Sequence, residues 1–251
     1  MRRLLIILTV AISLIAITLA TQLLRTVSRV SDLSAVTSGW QVFNASAAQP
    51  GISGIVNYGG VPTSTIPLKL LFVLDNFESI SDTTNTQSDG SYLFTKVAAL
   101  DPGAVYQVSY DNLGFDPKYV AFWYSPNIET YAPNEALELA PFDIQNVPQL
   151  SPPDDFTATI PVTFTWTARQ DNTDTYQIHI YNYFGEDYYS PPIPYTDHFR
   201  LDELPIELSY NETYFWEIVI YSPNGGYGVN TDFFGIKFTP TYKIYLPLAT
   251  R

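Results

Sequence analysis

The chain has 251 residues and a formal net charge of −13, from 12 Lys and Arg against 25 Asp and Glu. That charge repels phosphate backbones, which sets nucleic acid aside as a partner. Cys is absent, so disulfides, thiolate metal sites and a Cys nucleophile are excluded together.

Arg2 and Arg3 precede an apolar run from Leu4 to Ala20. This is the charged n-region and h-region of a secretory signal, with Thr18-Leu19-Ala20 as its cleavage site. At about 17 residues the run also barely suffices to span a bilayer. Residues 1–20 are therefore read as a signal peptide or an uncleaved membrane anchor, the membrane contact then running through residues 4–24. Either outcome exports everything downstream by the general secretory route, to the extracellular space or the cell surface. Leu23, Leu24, Val27 and Val30 recur at helical spacing, so residues 21–49 read as a helical or disordered spacer. No internal repeat is evident.

From Gly51 onward the pattern changes to short β-branched and aromatic runs bounded by Gly, Pro, Asn and Asp. "GISGIVNYGG", "PLKLLFVLD", "SYLFTKVAAL", "AVYQVSYDN", "KYVAFWYSP" and "EALELAPFDI" are the strand signals of a first β-sandwich over residues 50–145. Gly54 and Val56, Gly60 and Pro62, then Asp89, Gly90, Tyr92 and Phe94, then Gly103, Tyr106 and Val108 resemble the carboxypeptidase-regulatory-like, or prealbumin-like, sandwich. The resemblance covers about 95 residues and implies a non-catalytic spacer or adhesive module. It departs at "DNFESISDTTNTQ", a long acidic stretch where the family has a compact loop. Asp75, Glu78, Asp82 and Asp89 offer oxygen ligands for calcium in that stretch, but their spacing does not match an EF-hand, and a solvated acidic loop is the plainer reading.

After the Pro-rich joint "VPQLSPPDD" the strand pattern restarts, so residues 146–240 read as a second β-sandwich. Val162, Phe164 and Trp166 share one face by alternation, as do Tyr176, Ile178 and Ile180, and Tyr214, Trp216, Ile218 and Ile220. These faces are expected to meet in a core. Ser151-Pro152, Val162-x-Phe164-x-Trp166, Tyr176-x-Ile178 and Thr213-Tyr214-x-Trp216-x-Ile218 resemble a bacterial fibronectin type III-like domain over about 95 residues. The resemblance makes Tyr214 the residue of a tyrosine corner. The fold class expected is thus all-β, two β-sandwich domains in series after an N-terminal hydrophobic helix.

The outward residues of the same strands include His179 and Glu217, which read as an acid–base pair or as ordinary surface residues. His198 beside Asp197 reads as incidental. Gly-x-Ser-x-Gly, P-loop and His-Glu-x-x-His motifs are all missing, so no catalytic residue is assigned and an enzyme is not expected. A hydrolase with its site in the acidic loops stays as a remote alternative. Tyr183, Tyr188, Tyr189 and Tyr227 are placed in loops and are the candidate ligand-binding residues, as aromatic platforms for sugar rings or a protein. The expected role is a structural or adhesive, non-enzymatic one at a bacterial surface. The partner is a cell-surface protein or polysaccharide, no cofactor is required, and carbohydrate binding through the loop tyrosines is the alternative. "NAS" at Asn44 and "NET" at Asn211 fit the glycosylation sequon.

Residues 241–251 read as a C-terminal strand or tail. "LPLAT" departs from the sortase signal Leu-Pro-x-Thr-Gly, because two residues separate Pro247 from Thr250. Tyr242–Leu248 is either an edge strand, to which Pro247 confines it, or a docking peptide.

Overall fold

The computed structural model describes residues 49–240, apart from 76, 171 and 172. The expectations for the N-terminal hydrophobic segment, the spacer up to residue 48 and the C-terminal Tyr242–Leu248 segment fall outside the described residues. Among the described residues the fold is all-β, with nineteen strands and several sheets.

The first half contains β1 (Gly51–Tyr58), β2 (Val61–Pro62), β3 (Pro67–Leu74), β4 (Phe77–Asn85), β5 (Ser91–Phe94), β6 (Val105–Asp111), β7 (Phe122–Tyr124), β8 (Ala136–Glu138) and β9 (Phe142–Asp143). One sheet is built around β1, with β2 and β5 antiparallel to it and β8 and β9 parallel. Gly59 and Gly60 both have positive φ, at 60° and 77°, which suits the two-residue turn joining β1 to β2. The other sheet runs β4-β3-β6-β7. Period-2 alternation sends Tyr106, Val108 and Tyr110 of β6 inward, where they are buried with Leu68 and Leu70 of β3.

The acidic stretch expected to be a loop is largely the strand β4, paired along its length with β3 from Pro67↔Asn85 to Leu74↔Phe77. Its Ser, Thr and acidic residues masked the strand because one side of β4 faces solvent, so no apolar run marks it. Asp75 stands at the hairpin turn with φ 48°.

The second half contains β10 (Gln149–Ser151), β11 (Phe156–Thr159), β12 (Val162–Trp166), β13 (Thr175–Tyr181), β14 (Asp187–Tyr189), β15 (Ile193–Pro194), β16 (His198–Leu201), β17 (Thr213–Tyr221), β18 (Tyr227–Val229) and β19 (Phe234–Thr239). The three-stranded sheet β10-β12-β16 stands apart from the sheet in which β17 joins β13, β18 and β19. Between them lie Phe164 edge-on to Trp216 at 5.0 Å and Trp166 edge-on to Tyr176 at 5.6 Å. All four rings are essentially inaccessible to solvent, and each such pair adds about 0.5–1.5 kcal/mol beyond its burial. The Tyr214 hydroxyl accepts the Ser209 N–H at 2.7 Å and donates to Glu186 at 2.5 Å. This ties β17 to the backbone five residues upstream, as a tyrosine corner does.

β18 also pairs with β7, in register Tyr227↔Tyr124, Gly228↔Trp123 and Val229↔Phe122. One eleven-stranded sheet therefore runs through both halves. Gly226 and Gly228 make that junction sterically feasible: a Cβ on Gly228 would lie 2.8 Å from the Phe122 carbonyl oxygen, and one on Gly226 2.7 Å from the Trp123 ring. The connecting segment is locked as well. Asn146 accepts the Thr231 N–H at 3.0 Å and donates to the Pro117 carbonyl at 2.9 Å. Arg169, paired with buried Asp174 at 2.8 Å, donates to the Asp143 carbonyl and lies over the Trp123 ring.

A repeated hairpin plan emerges that the sequence reading did not anticipate. In β6–β7, Ser125 Oγ accepts the Val108 N–H at 2.9 Å and donates to the Pro126 carbonyl. In β13–β14, Ser190 Oγ accepts the Ile178 N–H at 2.9 Å and donates to the Pro191 carbonyl. Gln107 and Gln177 donate to the carbonyls of those same serines. Asn112 and Asn182 close the two turns through their side-chain oxygens, and Tyr106↔Ile128 matches Tyr176↔Ile193. The repeat is a single hairpin with turns of unequal length, too short and too diverged to register as a sequence period.

Candidate contact surface

The large sheet has a face turned away from the core, and alternation decides what lies on it. From β14 to β7 it presents Tyr189, His179 and Tyr181, Phe215 and Tyr221, Tyr227, then Tyr124 and Phe122. Tyr227 lies 5.5 Å from Tyr124 and 6.2 Å from Tyr221, and Phe215 lies 5.2 Å from Tyr183, so the rings form an almost unbroken row. Most of these residues are half-buried by each other. Burial lifts the hydroxyls of Tyr124, Tyr181, Tyr189 and Tyr227 above the ordinary phenol range, and that of Tyr221 to about 12. All five are therefore neutral donors at physiological pH.

His179 sits at the foot of this row and is 2% exposed, where a solvated surface residue was one expectation. Its Nδ1 lies 2.7 Å from Glu217 Oε1 and its Nε2 2.6 Å from Asp187 Oδ1. Its ring stacks on Tyr189 at 4.1 Å and Tyr181 at 4.6 Å. Burial alone would lower its pKa, but the bonds to Asp187 and Glu217 and their charges outweigh it and raise the group to about 9. His179 is thus an imidazolium donating from both nitrogens, held over two tyrosine faces. With both nitrogens protonated it has no free lone pair, and its two N–H groups tie Glu217 and Asp187 together across the sheet.

The equivalent site in the first half differs. Ser109 stands where His179 stands and Lys69 where Glu217 stands, as the registers Lys69↔Ser109 and His179↔Glu217 place them. There Lys69 turns to Asp111 at 2.5 Å, half-exposed.

The two similar hairpins also share an end of the sheet. β6 is antiparallel to β7, β7 to β18, β18 to β17 and β17 to β13, so β6 and β13 point the same way. Their turns emerge side by side, four strand spacings or about 19 Å apart. Leu113 and Phe115 on one tip are 79% and 56% exposed, and Tyr183 and Phe184 on the other are 67% and 90% exposed.

Of the four sequence-derived tyrosines, Tyr183 is on a tip, while Tyr189 and Tyr227 lie on the strands β14 and β18 and belong to the outer row. Tyr188 points the other way and packs on the core. The loop placement of Tyr188, Tyr189 and Tyr227 is thereby corrected: strands of three residues flanked by Pro or Gly carry too little alternation to be read. The signal available was the recurrence of Tyr-Gln-x-x-Tyr/Ile, at Tyr106–Tyr110 and Tyr176–Ile180, and of Ser-Pro, at Ser125-Pro126 and Ser190-Pro191. Asp75, Glu78, Asp82 and Asp89 do not converge, and among the described residues no group of three or more His, Asp or Glu forms a metal cage. Asp82 bonds the Lys96 N–H, and Asp89 is committed to Ser91, whose hydroxyl and N–H hold its carboxyl below the usual range. His198 pairs with Asp197 on the open surface, beside a shallow depression lined by Trp166 and Tyr195.

No protein-family model matches the chain, and no curated protein matches it. Among solved structures, a tetra-tandem repeat in the extending region of a large adhesion protein aligns at 12% identity and a TM-score of 0.27. The alignment covers 75% of this chain and 49% of that one, so this chain spans about half the length of that neighbour.

Proposed function

We propose that the protein is an exported cell-surface or envelope protein with a structural or adhesive, non-enzymatic role, making contact through the end of its sheet. The observation that carries this reading is the pair of apolar hairpin tips, Leu113 with Phe115 and Tyr183 with Phe184, set side by side on one sheet. Each tip leaves two large apolar side chains more than half exposed, which is costly in water, and the two pairs lie at the same end of one sheet. The junction between the halves supports it, because a jointless sheet holds the two tips at a fixed spacing and lowers the entropy lost on binding. Export rests on the Arg2-Arg3 and Leu4–Ala20 pattern.

The finer module assignment belongs to the same reading. The second half is fibronectin type III-like, supported by three strands facing the sheet of β13, β17 and β19 and by the Tyr214 corner. The first half is carboxypeptidase-regulatory-like, supported by the sheet built around β1. The test of function is adhesion of the full-length chain to cells or purified surface proteins. Binding that falls in a Leu113→Ser, Phe184→Ser variant with an unchanged melt supports the reading; unchanged binding overturns it.

A second reading is favoured by the row of neutral tyrosine hydroxyls along the outer face, a chemistry suited to polysaccharide. Titration with cell-wall polysaccharide fractions separates the two, since this reading requires saturable glycan binding that weakens in Tyr221→Ala.

A further inference from the structure

We propose that the sheet's open edges, β14 and β4, join copies of this chain head to tail by repeating the junction that β7 and β18 make within each copy. The proposal goes beyond the contact role above and does not depend on it.

Three observations carry it. First, β14 is the counterpart of β7. Each is the outer strand of the hairpin plan shared by β6–β7 and β13–β14, with its serine, glutamine and asparagine bonds in matching places. Second, β4 is the counterpart of β18. Aligning Tyr106 with Tyr176 makes Leu71 equivalent to Val219 and Val73 to Tyr221. Their partners Ile80 and Glu78 on β4 then hold the places of Val229 and Tyr227 on β18. Third, the counterparts are unpaired where the originals are paired. Among the described strands β14 pairs only with β13, and β4 only with β3.

The open edge of β14 presents its backbone in the right phase. Asn182 N–H bonds Glu186 and Ser190 N–H bonds Ile178, so the alternation of an antiparallel ladder commits Tyr188 to β13. The N–H and C=O groups of Asp187 and Tyr189 then face outward, as those of Phe122 and Tyr124 face β18. β4 is nine residues long and carries neither Lys nor Pro, and its Phe77 and Ile80 are 66% and 57% exposed. Its guards are partial: Glu78 and Asp82 are charged and the register with β3 shifts between Leu70 and Leu71, but no Lys or Pro stands on the strand.

Transferring the internal register pairs Tyr189 with Glu78, Tyr188 with Ser79, and Asp187 with Ile80. No acid stands directly opposite another, and Asp187 shares the His179 imidazolium with Glu217, which leaves the cluster a net negative charge facing Ile80. Ser79, at the place of Gly228, brings a Cβ for which the internal junction has no room, so the two strands sit slightly farther apart there than β7 and β18 do. Because the two edges differ, the contact is heterologous and generates a linear array instead of a closed dimer. With three residue pairs and without the clamp from Arg169, each contact is weak on its own and needs high local concentration.

The test is sedimentation of the full-length chain over a concentration series, followed by cysteine trapping. The native chain has no Cys, so a disulfide between copies carrying Glu78→Cys and copies carrying Tyr189→Cys reports this register alone. The expected results are a weight-average mass that rises with concentration and a mixed disulfide as the main trapped product. Ile80→Asp, which sets like charges opposite each other, should weaken association roughly tenfold or more, while Ile80→Lys should preserve or tighten it. A mass that stays monomeric to the solubility limit overturns the proposal. So does trapping mainly of like with like, or association indifferent to Ile80→Asp. Should Tyr189→Cys fail to fold, the Ile80 pair, on an exposed edge, decides alone.

Discussion

The hairpins β6–β7 and β13–β14 share one backbone plan and have opposite fates. In the first, the outer strand is capped by β18 and its outward residues Phe122 and Tyr124 are aromatic. In the second, the outer strand pairs among the described strands only with β13, and its outward face holds the His179, Asp187 and Glu217 cluster. The local hydrogen bonds are common to both, so the two hairpins differ in the residues on their outer faces and in which strand meets the outer edge. Ser109 leaves the first site plain, whereas His179 fills the second with a buried charge that needs both its carboxylates.

Replacing His179 should break that contrast most severely. His179→Leu leaves Glu217 buried without its partner and should cost about 3–5 kcal/mol, whereas Ser109→Ala, whose hydroxyl makes no hydrogen bond, should stay within about 0.5 kcal/mol. Urea denaturation of the two variants measures the gap. The same cluster gives the second half a pH signature. Its histidine pKa is raised from 6.5 to about 9 on folding, so its stabilisation is fully present below about pH 6.5 and fades as pH rises through about 9. The loss should be on the order of a few kcal/mol in melts across that window, and His179→Leu should abolish the dependence.

The capped edge is tested by Gly228→Val, which drives a side chain into the Phe122 carbonyl and the Trp123 ring. The expected cost is about 1–3 kcal/mol, with faster amide exchange in β7 but not in β14. The shared plan is tested by Ser125→Ala and Ser190→Ala. Each orphans one buried N–H, so both should cost about 1–3 kcal/mol, and a large difference between them would break the equivalence. Smallest is Tyr214→Phe, which loses the Ser209 and Glu186 bonds for about 1 kcal/mol.

Much of the core was legible. Val162, Phe164 and Trp166 on β12, and Tyr176, Ile178 and Ile180 on β13, are buried as alternation requires, because a long strand with one face in a core must repeat every second residue. β4 was not legible, since it is exposed along its outer side and its polar residues satisfy no packing constraint. β14 and β18 were missed because three residues give only one alternation. The pairing of His179 with Glu217 on one face was accessible from the sequence, but the third partner Asp187 and the burial were not.

The sequence by itself determined the strand-rich class, the two core faces and the turn positions, because these follow from local periodicity and the φ demands of Gly and Pro. The tertiary structure alone decided that β18 crosses to β7 and that Arg169 and Asn146 lock the connecting segment. It also decided that a surface histidine becomes a buried cation. These depend on residues up to about a hundred positions apart, and strand edges carry backbone groups that are chemically alike in every strand. Which edge meets which is settled only by the shapes brought together, here Gly228 of β18 and Gly226 just before it against the Trp123 ring.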